Sequence, residues 1–322
     1  MQRPLAAAAD EVRGLLDARL VLVTGKGGTG KTTFSAALAL LAAVRGRRVL
    51  LAEIDSQRPA LAPVFGVEPR FQPQPVRDGL DISNLVWDEA LQSFLAGLVP
   101  SRRVVRMILA NRMVSRFIDF TPGSQEIVTL SALGDQVGRY DLVVADLPAS
   151  GHAFSLLDIT RSALGLFRSG PVRGRAEELR TLLGADSTRL ALMALPEEMV
   201  VNETIETYER LCQFELISAA PVVFLNRATL PTLTDDEREL LRRMSAVDQT
   251  PQQAEFLRAG RWENELEQGT AASQQRLDAM LPGTPVLVPP AQSGGRPKQA
   301  VGSVAAHLGR LVGVTRRELA WH

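Results

Sequence analysis

Only three lysines occur in the 322 residues, and two of them lie close together in Gly25-Lys26-Gly27-Gly28-Thr29-Gly30-Lys31-Thr32. An apolar run, 20–24, precedes this segment, and a helix-forming run, 34–44, follows it. Glycines let a strand-to-helix turn curl so that successive N–H groups point inward, and the new helix adds its positive end. The spacing Gly25-x-x-x-x-Gly30-Lys31-Thr32 fits a phosphate-binding loop in full. Lys31 would sit on the β- and γ-phosphates of a nucleoside triphosphate, and the Thr32 hydroxyl on Mg²⁺, with backbone donors running on to Thr33. A generic loop of this kind leaves the position after the first glycine free, so Lys26 is an addition that asks for its own use.

Such a loop needs carboxylates at the ends of neighbouring strands to order the metal and the attacking water. Two acids follow apolar strands in that way: Asp55 after 49–54, and Asp146 after 142–145. Doubly wound folds gather their ligand groups at these strand ends. Asp146 is read as holding a Mg²⁺-bound water. Asp55 is read as orienting the attacking water and acting as its base, as well as reaching the ion through water. A strand-end aspartate often caps a helix or sits in a turn instead, and that alternative stays open for both Asp146 and Asp55.

The elements that must position these groups follow from the pattern of apolar runs. Short β-branched stretches at 20–24, 49–54, 142–145, 189–194, 222–226 and 286–288 alternate with helical ones. This predicts an α/β fold, a doubly wound, mostly parallel sheet with helices on both faces. Helical insertions are expected at about 89–136, 154–183 and 235–280, inside a nucleotide-binding domain covering 20–313. An N-terminal segment, 1–19, and a tail, 314–322, flank it. Two capping boxes, opening at Thr234 and Thr250, mark helix starts within the last insertion. Val301, Val304, Ala305, Leu308, Leu311 and Val312 form one stripe at helical spacing, expected to pack on the sheet.

Bulk composition narrows the partners. Lys plus Arg equals Asp plus Glu at 36 each, so no overall field recommends nucleic acid. No apolar stretch reaches the roughly 20 residues needed to span a bilayer, and the N-terminus lacks a signal-peptide pattern, so a cytoplasmic location is expected. The single cysteine, Cys212, supplies no zinc or iron–sulfur half-site, and it reads as an inert buried thiol.

The loop with its extra lysine resembles the deviant Walker A group. That group includes the ParA and MinD positioning ATPases, the nitrogenase iron protein, and the arsenite-pump (ArsA) and guided-entry ATPases. The resemblance implies a P-loop ATPase of the SIMIBI type that uses ATP and Mg²⁺. It also implies that Lys26 reaches across a dimer interface to the partner's nucleotide, much as an arginine finger does. Asp146-Leu147-Pro148-Ala149-Ser150-Gly151-His152 is similar to the switch II signature of the arsenite-pump and guided-entry members, with His152 either reporting the nucleotide state or bonding locally. Pro221-Val222-Val223-Phe224-Leu225-Asn226-Arg227 resembles the family strand whose asparagine reads adenine. Leu195-Pro196-Glu197-Glu198 and the loop after Pro289 also resemble it, the latter through Gln292 to Lys298 either covering the base or forming a surface connection.

Departures matter as well. Ser56-Gln57-Arg58-Pro59-Ala60-Leu61 stands where the family has a Pro-Ala-His type sequence, which lowers the turnover expected. Too few cysteines are present for an arsenite-binding thiol cluster or a shared zinc clip. The resemblance therefore points to a bacterial single-P-loop ArsA-like protein, a homodimer or a heterodimer with a related subunit, whose client is an apolar segment or a membrane protein. The apolar residues between Arg103 and Phe117 either line a groove for such a client or are buried. A nucleotide-binding regulatory subunit and a positioning ATPase remain the alternatives.

Overall fold

The computed structural model describes residues 2–98, 101–110, 123–245, 250–291, 296–315 and 317–319. Eight strands form one sheet in the order β3-β4-β2-β5-β1-β6-β7-β8. They are β1 (Leu20–Gly25), β2 (Val49–Ile54), β3 (Gln74–Arg77), β4 (Leu80–Leu85), β5 (Leu142–Asp146), β6 (Thr188–Ala194), β7 (Val222–Asn226) and β8 (Val286–Val288). All pairs are parallel except β3 with β4. Central β1 aligns Leu20 with Val143 of β5 on one side and with Thr188 of β6 on the other.

Every residue of β1, β2 and β5 is buried, which is why these strands read as unbroken apolar runs and not as alternating ones. Helices cover both faces. One face carries α1 (Gln2–Asp17), α2 (Lys31–Val44), the short α3 (Ala62–Phe65), and α12 (Pro297–Val312), whose apolar side chains share one core with the sheet. The stripe expected on α12 is borne out, with Val301, Val304, Ala305 and Leu308 buried. Helix α2 is buried continuously from Phe34 to Ala43, and Phe34 packs on Phe224 of β7 with ring centroids 4.4 Å apart.

The other face holds α4 (Trp87–Leu98), α6 (Ser124–Val137), α7 (Ser150–Leu166), α8 (Pro171–Leu183) and α9 (Glu198–Gln213) around a second core. The short α5 (Arg102–Ala110) packs on α4. Thus the expected 89–136 run is several helices, and the 154–183 run is two, α7 beginning already at Ser150. The 235–280 run divides into α10 (Asp235–Met244) and α11 (Pro251–Met280), and both predicted capping boxes form at Thr234 and Thr250.

Three differences from the sequence reading have physical causes. β3 and β4 form a hairpin around Asp78-Gly79, with Gly79 at φ 75°, and carry a bulge between Pro75 and Arg77. Pro75 and the flanking polar residues hid β3. The segment before β1 is a helix, with Val12, Leu15 and Leu16 buried. Cys212 is exposed, because the last turn of α9 buries Leu211 instead. Residues 111–117 of the stretch between Arg103 and Phe117 suspected of lining a groove, and Gln292 to Gly295 of the candidate base-covering loop, lie outside the described residues.

Candidate nucleotide site

The carboxyl ends of β1, β2, β5, β7 and β8 open on one rim of the sheet, and the candidate residues sit there. The glycine loop leaves β1 at Gly25 and enters α2 at Lys31. Two glycines are obligatory in space. A Cβ on Gly25, at φ 146°, would stand 2.3 Å from the Met193 carbonyl oxygen of β6. One on Gly30, at φ 88°, would stand 2.4 Å from Asn226 Nδ2. By contrast, a Cβ on Gly27 or Gly28 would meet nothing within 4 Å, so the space over the loop is open. No side chain caps the start of α2, which leaves its first-turn amides available to an anion.

Inside the curl the Thr29 hydroxyl and the Lys31 ammonium both donate to the Lys26 carbonyl, at 2.8 and 3.2 Å. Thr32 Oγ1 donates to Asp146 Oδ2 at 2.5 Å, and Ser35 Oγ to Asp146 Oδ1 at 3.2 Å. Asp146 is buried, and burial pushes its carboxyl up to about 6 against the pull of Thr32, Lys31 and Ser35. Burial likewise lowers Lys31, opposed by the charges of Asp146 and Glu203. Both groups are paid for in desolvation and only partly compensated, which is the condition of a site awaiting charge.

These residues fit a triphosphate with its magnesium ion: an uncapped helix start, open space above two glycines, a lysine and a hydroxyl–carboxylate pair. Thr32 and Asp146 would hold the ion, Asp146 through water, and the ion would neutralise phosphate charge. Among the described residues no three His, Cys, Asp or Glu side chains converge, so phosphate and water would supply the remaining oxygens.

Asp55 stands just past β2, exposed and at φ 45°, and its Oδ1 accepts the Trp87 amide at 3.1 Å. In this conformation it caps α4. The next residue, Ser56, is clasped to β4, its N–H reaching Asn84 Oδ1 at 3.1 Å and its carbonyl accepting from Asn84 Nδ2 at 2.8 Å. Asn226 lies against the loop, with Nδ2 donating to the Thr29 carbonyl at 2.8 Å and Oδ1 accepting the Arg227 amide at 2.9 Å. It braces the glycine turn, with one amide hydrogen left over. Arg227 is exposed at φ 56°, and Pro289 follows β8 directly. His152 is exposed in the first turn of α7.

Three residues of the site escaped the sequence reading. Ser35 is the second donor to Asp146, one turn beyond the recognised motif, and that spacing could have found it. Glu53 is buried beside Asp146 in the register of β2 and β5, accepts the Ala60 and Leu61 amides at 2.7 and 3.4 Å, and is pushed up to about 7 by burial. Glu203 of α9 pairs with Lys26 at 3.1 Å and accepts Ser150 Oγ at 2.6 Å. Nothing local in the sequence links Glu203 to either partner.

Comparison with known proteins agrees with this geometry. Residues 18–168 match the family model described as anion-transporting ATPase. ATPase BagA of Mycobacterium tuberculosis is 34% identical over 226 residues, 65% of this chain and 65% of that protein. The arsenical pump-driving ATPase of Acidiphilium multivorum is 26% identical over 220 residues, 60% of this chain and 37% of the relative. The ATPase ASNA1 homolog 1 of Paramecium tetraurelia is 28% identical over 140 residues, 43% and 42% respectively. The match thus spans a little under two thirds of the length of BagA and less than half of the other two relatives. The matched segment carries the glycine loop, Asp55 and Asp146, and over residues 18–168 the chain is similar to the anion-transporting (ArsA-type) ATPase family.

Proposed function

We propose that this protein binds and hydrolyses ATP with Mg²⁺ as a paired switch of the ArsA and guided-entry type, coupling closure of two subunits to the handling of a client. The observation that carries the reading is the Thr32–Asp146 contact beneath a lysine-bearing glycine cradle, with open space above it. Lys31 would draw the terminal phosphates in, and Lys26, at the mouth of the loop, would act on the nucleotide of the facing subunit. Asn226, Arg227 and Pro289 flank the place for the base. Exposed Val104 and Met107 on α5 would belong to the client-handling surface. The facing subunit is a second copy or a related ATPase, and the client is an apolar segment or a membrane protein.

The test combines binding of a non-hydrolysable ATP analogue with magnesium-dependent phosphate release. Lys31→Ala should weaken binding about 10- to 100-fold, the loss of one or more charge-assisted contacts. Lys26→Ala should leave binding near wild type and cut turnover by about a thousandfold. Wild-type protein that does not bind the analogue would overturn the reading.

A second reading is a regulatory subunit that binds ATP and turns over only beside a catalytic paralogue. The bond from the Trp87 amide to Asp55 Oδ1 favours it, because one oxygen of that carboxylate already holds the start of α4. Binding without turnover by the isolated chain supports this reading, and turnover that depends on Lys26 excludes it. No described helix is long and apolar enough to cross a membrane.

A further inference from the structure

Lys26 does not hang free at the mouth of the loop. Its ammonium is 3.1 Å from Glu203 Oε2, and the other oxygen of the same carboxylate takes the Ser150 hydroxyl at 2.6 Å. The three residues come from different parts of the machinery. Lys26 belongs to the glycine loop, Ser150 opens α7 just after Asp146-Leu147-Pro148-Ala149, and Glu203 stands on α9 of the same chain. The segment before Ser150 is itself fixed to β1, through Leu147 N–H to the Val23 carbonyl at 2.9 Å and Thr24 Oγ1 to the Pro148 carbonyl at 3.1 Å. Its far end is therefore held by Glu203.

Resting on the paired-switch reading, we propose that Glu203 is a two-armed latch, a positioning residue that keeps Lys26 in its own subunit and ties that lysine to the start of α7. One ammonium cannot serve Glu203 and a facing triphosphate equally, since the triphosphate carries several charges against one. When two subunits close, Lys26 leaves Glu203, and the carboxylate loses the cation that offsets its desolvation. Its remaining bond to Ser150 is then redistributed, so engagement of the partner is felt where α7 begins. The carboxyl of Glu203 lies below the ordinary glutamate range, chiefly through Ser150 and then Lys26, so the latch is charged at neutral pH.

Both members of the ion pair are about one-third exposed, with side-chain exposures of 34% and 37%. A pair so accessible to water is weak enough to be broken by a better ligand. Its release costs each subunit up to about fivefold in affinity, and two latches open in a symmetric pair, so the cost to the dimer is up to about 25-fold.

The experiment measures, by sedimentation, the dissociation constant of the dimer with a non-hydrolysable ATP analogue and Mg²⁺, together with analogue binding at low protein concentration. Glu203→Gln keeps the shape and the bond to Ser150 while removing the charge. It should tighten the dimer several-fold, up to about 25-fold, when both proteins are compared at saturating analogue. Ser150→Ala, which leaves the ion pair in place, should speed hydrogen exchange at residues 147–153 in the resting protein and change exchange in the closed pair less. If wild type pairs on the analogue but Glu203→Gln pairs no more tightly, or more weakly, the latch is wrong and the switch survives. If exchange in Ser150→Ala equals wild type, the second arm is wrong. If wild type does not bind the analogue, both readings fall together.

Discussion

At the amino rim of the sheet, several charged groups are paired within the chain. Arg47 donates to the Leu16 and Asp141 carbonyls, Arg19 to the Val137 carbonyl at 3.1 Å, and Arg48 to the Asp141 carboxylate at 3.0 Å. Tyr140 gives its hydroxyl to Asp81 at 2.6 Å. At the carboxyl rim, Glu53, Asp146 and Lys31 are all moved by burial toward their neutral forms. The difference is one of degree, since burial also lowers Arg47 and leaves Arg77 Nη1 without a partner at the amino rim, but only the carboxyl rim gathers its burial-shifted groups around the glycine loop. A fold that spends stability on unsatisfied charge at one rim does so where chemistry needs it.

The sharpest way to break this contrast is to fill the cradle. Gly30→Ala places a methyl group 2.4 Å from Asn226 Nδ2 at a backbone angle, φ 88°, that side chains rarely adopt. The loop must shift, the brace from Asn226 to Thr29 must go, and nucleotide affinity should fall beyond detection. Strain at such a position costs about 1–3 kcal/mol, so the variant should also unfold at lower urea. Gly46→Ala, also at positive φ but with nothing within 4 Å of its Cβ, should cost stability alone. Titration calorimetry and urea melts on the two variants separate the cradle from the strain.

Asp146→Asn should move function and stability in opposite directions. Turnover should fall by about 100-fold or more, because the hydroxyl–carboxylate pair no longer attracts a cation. The nucleotide-free protein should gain stability. The folded carboxyl sits at about 6, above its ordinary 3.8, so the unfolded chain gives up this proton first as pH rises. Asp146 therefore costs stability progressively between about pH 4 and 6, and in full above that, on the order of 2–3 kcal/mol. Glu53 adds the same sign between 4.5 and about 7. Wild type without nucleotide should thus be harder to unfold by urea at pH 5 than at pH 8. The asparagine variant should show a smaller difference, and an equal one would remove Asp146 from the explanation.

How much of this was legible in the chain depends on how far apart the cooperating residues lie. The glycine loop, the strands feeding it and Asp146 were readable because each is a local pattern: an apolar run, a turn chemistry, an acid at a strand end. The two capping boxes at Thr234 and Thr250 were readable for the same reason. Asp55 was placed at its strand end, yet its engagement with Trp87 depends on where α4 begins, which the sequence left two residues off. Asn226 was expected at a base, while its contact with Thr29 arises only once β7 is laid down beyond β6. The β3–β4 hairpin carried a readable Asp78-Gly79 turn that Pro75 overshadowed. Glu203 and Glu53 acquire their meaning from tertiary neighbours, Lys26 and Asp146, and no periodicity announces such pairs.

The amino rim offers the quietest test, and its sign is opposite. Asp141 is held below its ordinary range by the Arg48 side chain and then the Arg48 amide. A carboxyl depressed in the folded state stabilises above its unfolded value of 3.8, and that contribution is lost as pH falls toward the folded one. Asp141→Asn should leave nucleotide binding and turnover unchanged, lower stability slightly at pH 7, and flatten the loss of stability below about pH 4. The pair is exposed, so the effect at neutral pH should be near the limit of detection in a urea melt. If instead the variant changed turnover, the amino rim would be coupled to the chemistry, and the division of labour between the rims would have to be withdrawn. If the fall between pH 5 and pH 8 vanished in Asp141→Asn, that fall would belong to the wrong rim.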